Sequence, residues 1–326
     1  MKDVALKMLE RAKALLESGE VARVVGWKKG DFCYDPSPAV FESVEELEKD
    51  FTYDWFCGAN LSKYLIGIAK KEGKTAVFLK PCDTYSFNQL VKEHRINREN
   101  VYVIAVECLG KLNIEKIKAK GISLIESVEV IGKDVKVTSA YGVDTLAKPD
   151  ILLSKCDVCE KTHQVKDEEI ILHERFARDV NRFAEVEKLE NMTEDERFAF
   201  WREQLSKCIR CNACRNVCPA CSCVKCVFDN PASGISAKAN DDKFEEQLFH
   251  IIRAFHVAGR CTDCGECSRV CPQNIPLHLL NRKFIKDIDG MYGEYQAGET
   301  DEGKTPLTSY TEGDTEPNDV FNGEAK

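Results

Sequence analysis

Apolar positions recur at three- and four-residue steps through residues 3 to 18 and stop at Gly19, which predicts an amphipathic opening helix. VARVVGW then reads as a strand, and helical patches follow around Val44 to Lys49 and Asn60 to Lys71. Beyond them come the short buried strand TAVFLK, a helix from Thr84 to His94, the apolar strand VYVIAV and a helix around Ile114 to Lys120. Strand and helix alternate here, as they do when crossover helices join the strands of a parallel sheet. SLIESVEVI and DVKVTS are shorter strand candidates, joined around Gly132 in the manner of a hairpin. The first domain is thus expected to be α/β or mixed α+β, its patterned part ending near Leu153.

The pattern changes in the second half. From Glu168 to Trp201 the chain is helical in period and heavily charged, its charged faces read as solvated surface, with a break at Asn191 and Thr193. Thr193 and Glu196 fit a capping box for the helix that delivers the chain to Cys208. Between Asp241 and Gly259, Phe244, Leu248, Ile251, Ile252, Phe255 and His256 recur at helical spacing. The expected organisation is an α/β domain over 1–160, a helical linker over 161–207, an all-helical domain over 208–295 and a tail over 296–326. In fold class this is α+β.

Charge changes the picture mainly at the end. Of a formal net charge of -9, the segment from Gln296 onward supplies eight acidic residues against two lysines, with few large apolar groups. Such a segment cannot bury enough surface to fold alone, so it is expected to be a disordered, solubilising tail or an arm lying on a partner subunit. No basic stripe points to nucleic acid. No apolar run approaches the roughly 18 residues of a bilayer span, and the opening helix carries both charge signs without the apolar core of a signal peptide. A cytoplasmic location is expected, and seventeen cysteines there point to metal ligation or redox chemistry, since disulfides would be reduced. A low-oxygen setting follows from the same chemistry.

Eight of those cysteines form one spacing written twice. Cys208, Cys211, Cys214 and Cys218 precede Pro219, and Cys261, Cys264, Cys267 and Cys271 precede Pro272. In C-x2-C-x2-C-x3-C-P, three thiolates wrap one face of an iron-sulfur cube and the fourth serves the other cluster. The expected sets are therefore Cys208, Cys211, Cys214 and Cys271 around one 4Fe-4S cluster, and Cys261, Cys264, Cys267 and Cys218 around its neighbour. Zinc is the competing reading, but tetrahedral zinc sites are built from CxxC pairs and need neither a third thiolate in step nor a following proline. The 42 residues between Cys218 and Cys261 are too many for a compact hairpin-built ferredoxin. The text HIIRAFHVAGRCTDCGECSRVCPQNIPL resembles the helical ferredoxin domains of heterodisulfide reductase and succinate dehydrogenase iron-sulfur subunits.

Four further cysteines fall at places the α/β pattern makes meaningful. Cys82 follows TAVFLK, Cys108 follows VYVIAV, and Cys156 and Cys159 form a CxxC after a strand end. Adjacent parallel strands end at one sheet edge, where ligands gather, so Cys82 and Cys108 are expected close together. On the residues alone, a four-thiolate site and two buried cysteines beside a zinc pair both stand. KPCDTYSFNQLVKEHRINRENVYVIAVECLG, followed by KCDVCE and then CIRCNACRNVCPACSCVKC, resembles the β-subunit family shared by deazaflavin-reducing hydrogenases and formate dehydrogenases. The likeness runs over roughly residues 58–290 and is strongest to members with a fused dicluster ferredoxin, which partner heterodisulfide-reductase-like complexes. It implies a third 4Fe-4S cluster at Cys82, Cys108, Cys156 and Cys159, and an FAD. The chain departs from the family's glycine-rich N-terminal segment, offering only CGANLSKYL, and it contains no GxGxxG.

The resulting expectation is an iron-sulfur electron-transfer subunit of an oxidoreductase complex. It would relay electrons between a formate dehydrogenase or hydrogenase catalytic subunit and a heterodisulfide-reductase-like partner. The alternative is a flavin-containing oxidoreductase subunit that accepts a hydride from a deazaflavin or nicotinamide and passes single electrons on. No Ser/His/Asp set, paired carboxylates or activated nucleophile is visible, so no catalytic residue is assigned. Cys221, Cys223 and Cys226 crowd behind the first motif, with an extra cluster, a shared zinc or ligand exchange with Cys218 all open; Cys33 or Cys57 are candidate fourth ligands. His163, His173, His250 and His256 are read as surface or helix-face residues.

Overall fold

The computed structural model describes residues 1–160, 164–171, 180–230, 232 and 243–309. Helix α1 (Lys2–Glu17) buries Val4, Met8, Ala12 and Leu15 along one stripe. It is followed by β1 (Arg23–Lys28), β2 (Ser37–Phe41), α2 (Val44–Asp50), the short α3 (Leu65–Ile68), β3 (Thr75–Leu79), α4 (Pro81–Lys92), β4 (Val101–Val106) and α5 (Ile114–Lys118). Then come β5 (Ile125–Ile131), β6 (Asp134–Ser139), β7 (Gly142–Ala147), α6 (Ser154–Asp157) and β8 (Glu169–Ile171). The helical half comprises α7 (Ala184–Glu190), α8 (Glu194–Leu205), α9 (Ala213–Asn216), α10 (Lys243–Val257), α11 (Glu266–Arg269) and α12 (Leu277–Tyr292).

The main sheet has the order β2-β1-β3-β4-β8, with β1, β3, β4 and β8 parallel and β2 antiparallel at one edge. β3 is buried throughout and β1 and β4 nearly so, the two-faced burial that parallel strands acquire when helices cover both sides. Trp27, Phe78, Phe87, Met8 and Leu47 fill this core. The in-register pairs Val77 with Val103 and Leu79 with Ala105 bring both strands to the same edge. α4 starts there with Pro81 in its first turn, a position that needs no backbone N–H. The residues after β3 and β4 therefore leave the sheet side by side.

The α+β class stands, and several details differ from the periodicity. The expected hairpin is a three-stranded antiparallel meander, β5-β6-β7. β7 is exposed at nearly every position, so no apolar alternation marked it. The stretch from Glu168, expected to be helical, opens with β8; its Glu169 pairs with Arg11 of α1 at 2.7 Å, and its isoleucines extend the parallel sheet beside Ile104 to Val106. Asn60 to Lys71 holds only a 3-10 turn and the four-residue α3.

α10 turns a different face inward from the one its large apolar residues suggested. Glu246, Phe249, His250, Arg253, Ala254 and Val257 are buried, while Phe244, Ile251 and Phe255 are exposed. The tail also departs from expectation as far as it is described. Ala297 and Thr305 are buried, and a Cβ on Gly298 would overlap the backbone of Tyr85. Lys166 pairs with Asp301 at 2.6 Å and Lys92 donates to Thr300. Small residues let the chain pass against the first domain, and acidic ones meet its lysines; residues 310–326 lie outside the described residues.

The two halves meet where α6 touches α11. Gly265, at φ +64°, stands against Lys155, whose Cβ any added Cβ would overlap. Gly132, at φ +63°, has open space around it. Gly132→Ala should therefore cost only the left-handed strain, roughly 1–2 kcal/mol, whereas Gly265→Ala should cost measurably more, because the helices must also separate. Denaturant unfolding of the two variants checks this, and equal losses would mean that the junction is not tightly packed.

Candidate iron-sulfur sites

The repeated cysteine motif is repeated in the backbone. Arg210 and Asp263 hold corresponding places at φ 52° and 55°, as do Asn212 and Gly265 at φ 60° and 64°. Three of these four are not glycine, so the left-handed turns are held against their intrinsic preference. Such turns swing backbone N–H groups inward as an anion nest. The Arg210 N–H donates to Cys208 Sγ at 3.3 Å. Each turn leads into a one-turn helix, α9 or α11, carrying the third cysteine of its motif.

Cys208, Cys211, Cys214 and Cys271 line one small cavity of about 20 Å³, closed by Phe249, Ile275 and Leu277. Cys218 does not line this cavity; it packs with Val257, and Cys261 lies against the same group. Burial pushes the thiols of Cys208, Cys264 and Cys267 up to about 12 and that of Cys214 to about 11. Without metal these groups are neutral, and a metal must displace their protons to bind. A single zinc ion holds its sulfurs about 2.3 Å away. Among the described residues no three His, Cys, Asp or Glu side chains converge in that way. Four thiols lining one small cavity, with the Arg210 N–H turned to sulfur, fit the donor set of a four-iron cluster.

His250, expected on a surface or helix face, is buried on α10 with Nε2 3.2 Å from Cys208 Sγ. Burial, then the charges of Arg253 and Arg210, pull its pKa down to about 3. The imidazole is neutral, so Nε2–H can donate to Cys208 when that sulfur is a thiolate. Asn281 contributes a second such donor, 3.7 Å from Cys267 Sγ. His256 is exposed, and His163 and His173 lie outside the described residues.

At the carboxyl edge of the main sheet, Cys82, Cys108, Cys156 and Cys159 line a cavity of about 90 Å³. Parallel register brings the first two there, and α6 brings Cys156. Burial, then the neighbouring Cys108, pushes the Cys156 thiol up to about 12; burial, then Asp83, raises Cys82 as well. The walls carry five cations, Lys80, Lys111, Lys155, Arg182 and Arg282, against three carboxylates, Glu107, Glu160 and Asp263, and Cys264 lines the same cavity. Lys80 pairs with buried Asp83 at 2.6 Å, and Lys111 donates to the Asp54 carbonyl at 2.7 Å. Lys155 meets the fully buried Glu266, which also binds Arg269 at 2.8 Å. Sequence reasoning passed over these lysines, although Lys80 and Lys155 stand within two residues of a cysteine.

The remaining cysteines do not share one site. Cys221 packs with Cys218, Ala220, Val257 and Cys261, whereas Cys226 belongs to the group around Phe228 and Phe249. Cys223 and Cys33 are exposed, and Cys57 is buried beside Asp54.

Residues 204–275 match the 4Fe-4S dicluster domain family. The helical half is therefore a dicluster iron-sulfur domain. Over 85% of its length the chain is 24% identical to the F420-dependent formate dehydrogenase subunit beta of Methanocaldococcus jannaschii, covering 88% of that protein. It is 27% identical, over 90% of its length, to the F420-dependent formate dehydrogenase 1 subunit beta of Methanococcus maripaludis, covering 91%. Among solved structures it is similar to a chain of the F420-reducing nickel-iron hydrogenase complex of Methanosarcina barkeri, at TM-score 0.34 and 16% identity, covering 47% of this chain and 62% of that one. The chain is a homologue of the F420-dependent formate dehydrogenase β subunits. No described helix is long and apolar enough to cross a membrane.

Glu266→Gln would leave Lys155 and Arg269 without their shared carboxylate in a buried position. Removing one partner of a buried ion pair costs about 3–5 kcal/mol. Chemical denaturation of the variant should show a loss of that order, and a loss under about 1 kcal/mol would mean that solvent reaches the junction.

Proposed function

We propose that this chain is an electron-transfer subunit that carries three 4Fe-4S clusters in a line. Cys82, Cys108, Cys156 and Cys159 would hold one, Cys218, Cys261, Cys264 and Cys267 the second, and Cys208, Cys211, Cys214 and Cys271 the third. The observation that carries this reading is Cys264, which belongs to the second set and also lines the cavity of the first. The two sites thus share a wall. At the other end Cys211 is exposed, beside the exposed Ile209, and gives the line an outlet to a partner surface.

Bound clusters supply one-electron redox chemistry, with potentials set by burial, hydrogen bonds to sulfur and nearby charge. The protein's own work is positional. Burial keeps water from the sulfurs, the left-handed turns at Arg210 and Asp263 aim N–H groups at them, and the Lys155, Glu266 and Arg269 group fixes the distance between the first two sites. The excess of cations over carboxylates around the first cavity offsets part of the negative charge that four thiolates bring.

The partners proposed are the catalytic subunit of a formate dehydrogenase or hydrogenase, from the names of the relatives, and a heterodisulfide-reductase-like subunit, from the helical ferredoxin likeness of residues 250–277. Full-length protein purified anaerobically should contain about twelve iron atoms and as many sulfides per chain, four for each cluster. Cys82→Ser should remove about a third of that iron, and Cys33→Ser none. Zinc with little iron would overturn the reading. One tightly bound flavin per chain would select the flavin-containing alternative, in which the first domain converts a hydride into single electrons.

A further inference from the structure

Arg253 lies on the inward face of α10 and is 2% exposed. Nε, Nη1 and Nη2 have no oxygen or nitrogen acceptor among the described residues, and no described carboxylate pairs with it. Its cationic neighbours are provided for differently. Arg210 pairs with Glu246, Arg282 with Asp263, Arg269 with Glu266 and Arg260 with Glu93. A guanidinium taken out of water without an anion is costly by several kcal/mol, so its compensation must come from something else in the fold.

Sulfur surrounds it. Phe249, one turn before it on α10, packs with Cys214 and Cys267, and Val257, one turn after it, packs with Cys218; against its burial, these sulfurs as thiolates raise the pKa of Arg253. Cys214 belongs to one cluster set, while Cys218 and Cys267 belong to the other. Cys221, a thiol outside both sets, packs beside Cys218. α10 therefore runs between the two sites, and one fixed cation faces both.

We propose that Arg253 is the shared counter-charge of the two clusters of the dicluster domain, raising the reduction potential of both at once. This inference rests on the ligand sets proposed above. Reduction adds negative charge to a cluster, and a buried cation beside its thiolates favours the reduced form. His250 offers the contrast, because among the ligands it reaches only Cys208. Arg253 is thus a positioning and tuning residue common to both sites, while His250 serves one.

The test is a potentiometric titration of the full-length protein followed by electron paramagnetic resonance, with iron quantified in each sample. Arg253→Met with full iron should lower the midpoint potentials of both dicluster signals, and His250→Leu only that of the cluster held by Cys208. Arg253→Lys should keep both close to the parent values. Should Arg253→Met fail to retain iron, retention by Arg253→Lys with near-parent potentials supports the charge role. Loss of iron in Arg253→Lys as well would mean that shape and not charge is required, which overturns the proposal. Unshifted potentials in fully loaded Arg253→Met, or a shift of one signal alone, overturns it too. Parent protein lacking two reducible dicluster signals would overturn the ligand sets, and this inference with them.

Discussion

The contact on which the arrangement of sites depends is the meeting of Lys155 with Glu266 across Gly265. A buried carboxylate must be compensated, and Glu266 finds two cations, one from each half of the chain. Gly265 makes the approach possible by having no side chain, and its φ of +64° also forms the turn that aims backbone N–H groups at sulfur. One residue therefore shapes a cluster cradle and sets the distance to the next site. Further contacts reinforce the junction: Ser86 with Thr262 at 2.9 Å, Arg260 with Glu93 at 2.6 Å and Arg182 with Glu160 at 3.8 Å.

Charge is distributed according to what each site must hold. Thiols buried this deeply are neutral alone and anionic only as ligands, so cations placed near them have a use chiefly in the loaded protein. Around the sheet-edge cavity five lysines and arginines outnumber the three carboxylates Glu107, Glu160 and Asp263. Within the helical half the buried cations mostly carry their own carboxylates, and Arg253 is left facing sulfur. The net charge of -9 conveys none of this, because it averages an acidic tail with an interior where cations gather around cysteines.

The inward face of α10 shows why helical periodicity alone misjudges such a helix. In an ordinary core the largest apolar side chains turn inward. Here the inner face adjoins two sets of thiols, so the buried positions include a histidine, an arginine and a glutamate, and Phe244, Ile251 and Phe255 are left outside. The pattern of large apolar residues located the helix but did not mark its inward face.

Much of the site was legible in the chain itself. The spacing of the eight motif cysteines is the ground for the proposed exchange of Cys218 and Cys271, and the cavity lined by Cys208, Cys211 and Cys214 does include Cys271. Alternation of strand and helix predicted that Cys82 and Cys108 would meet, since parallel neighbours end at one edge. The sequence could not show β7 or β8, whose residues carry little alternating pattern. Nor could it show that the described part of the tail packs through Ala297 and Gly298. His250, Arg253, Lys111 and Glu266 acquire their roles only when distant segments are brought together, because a charge beside a sulfur is a fact of three-dimensional distance that local periodicity does not encode.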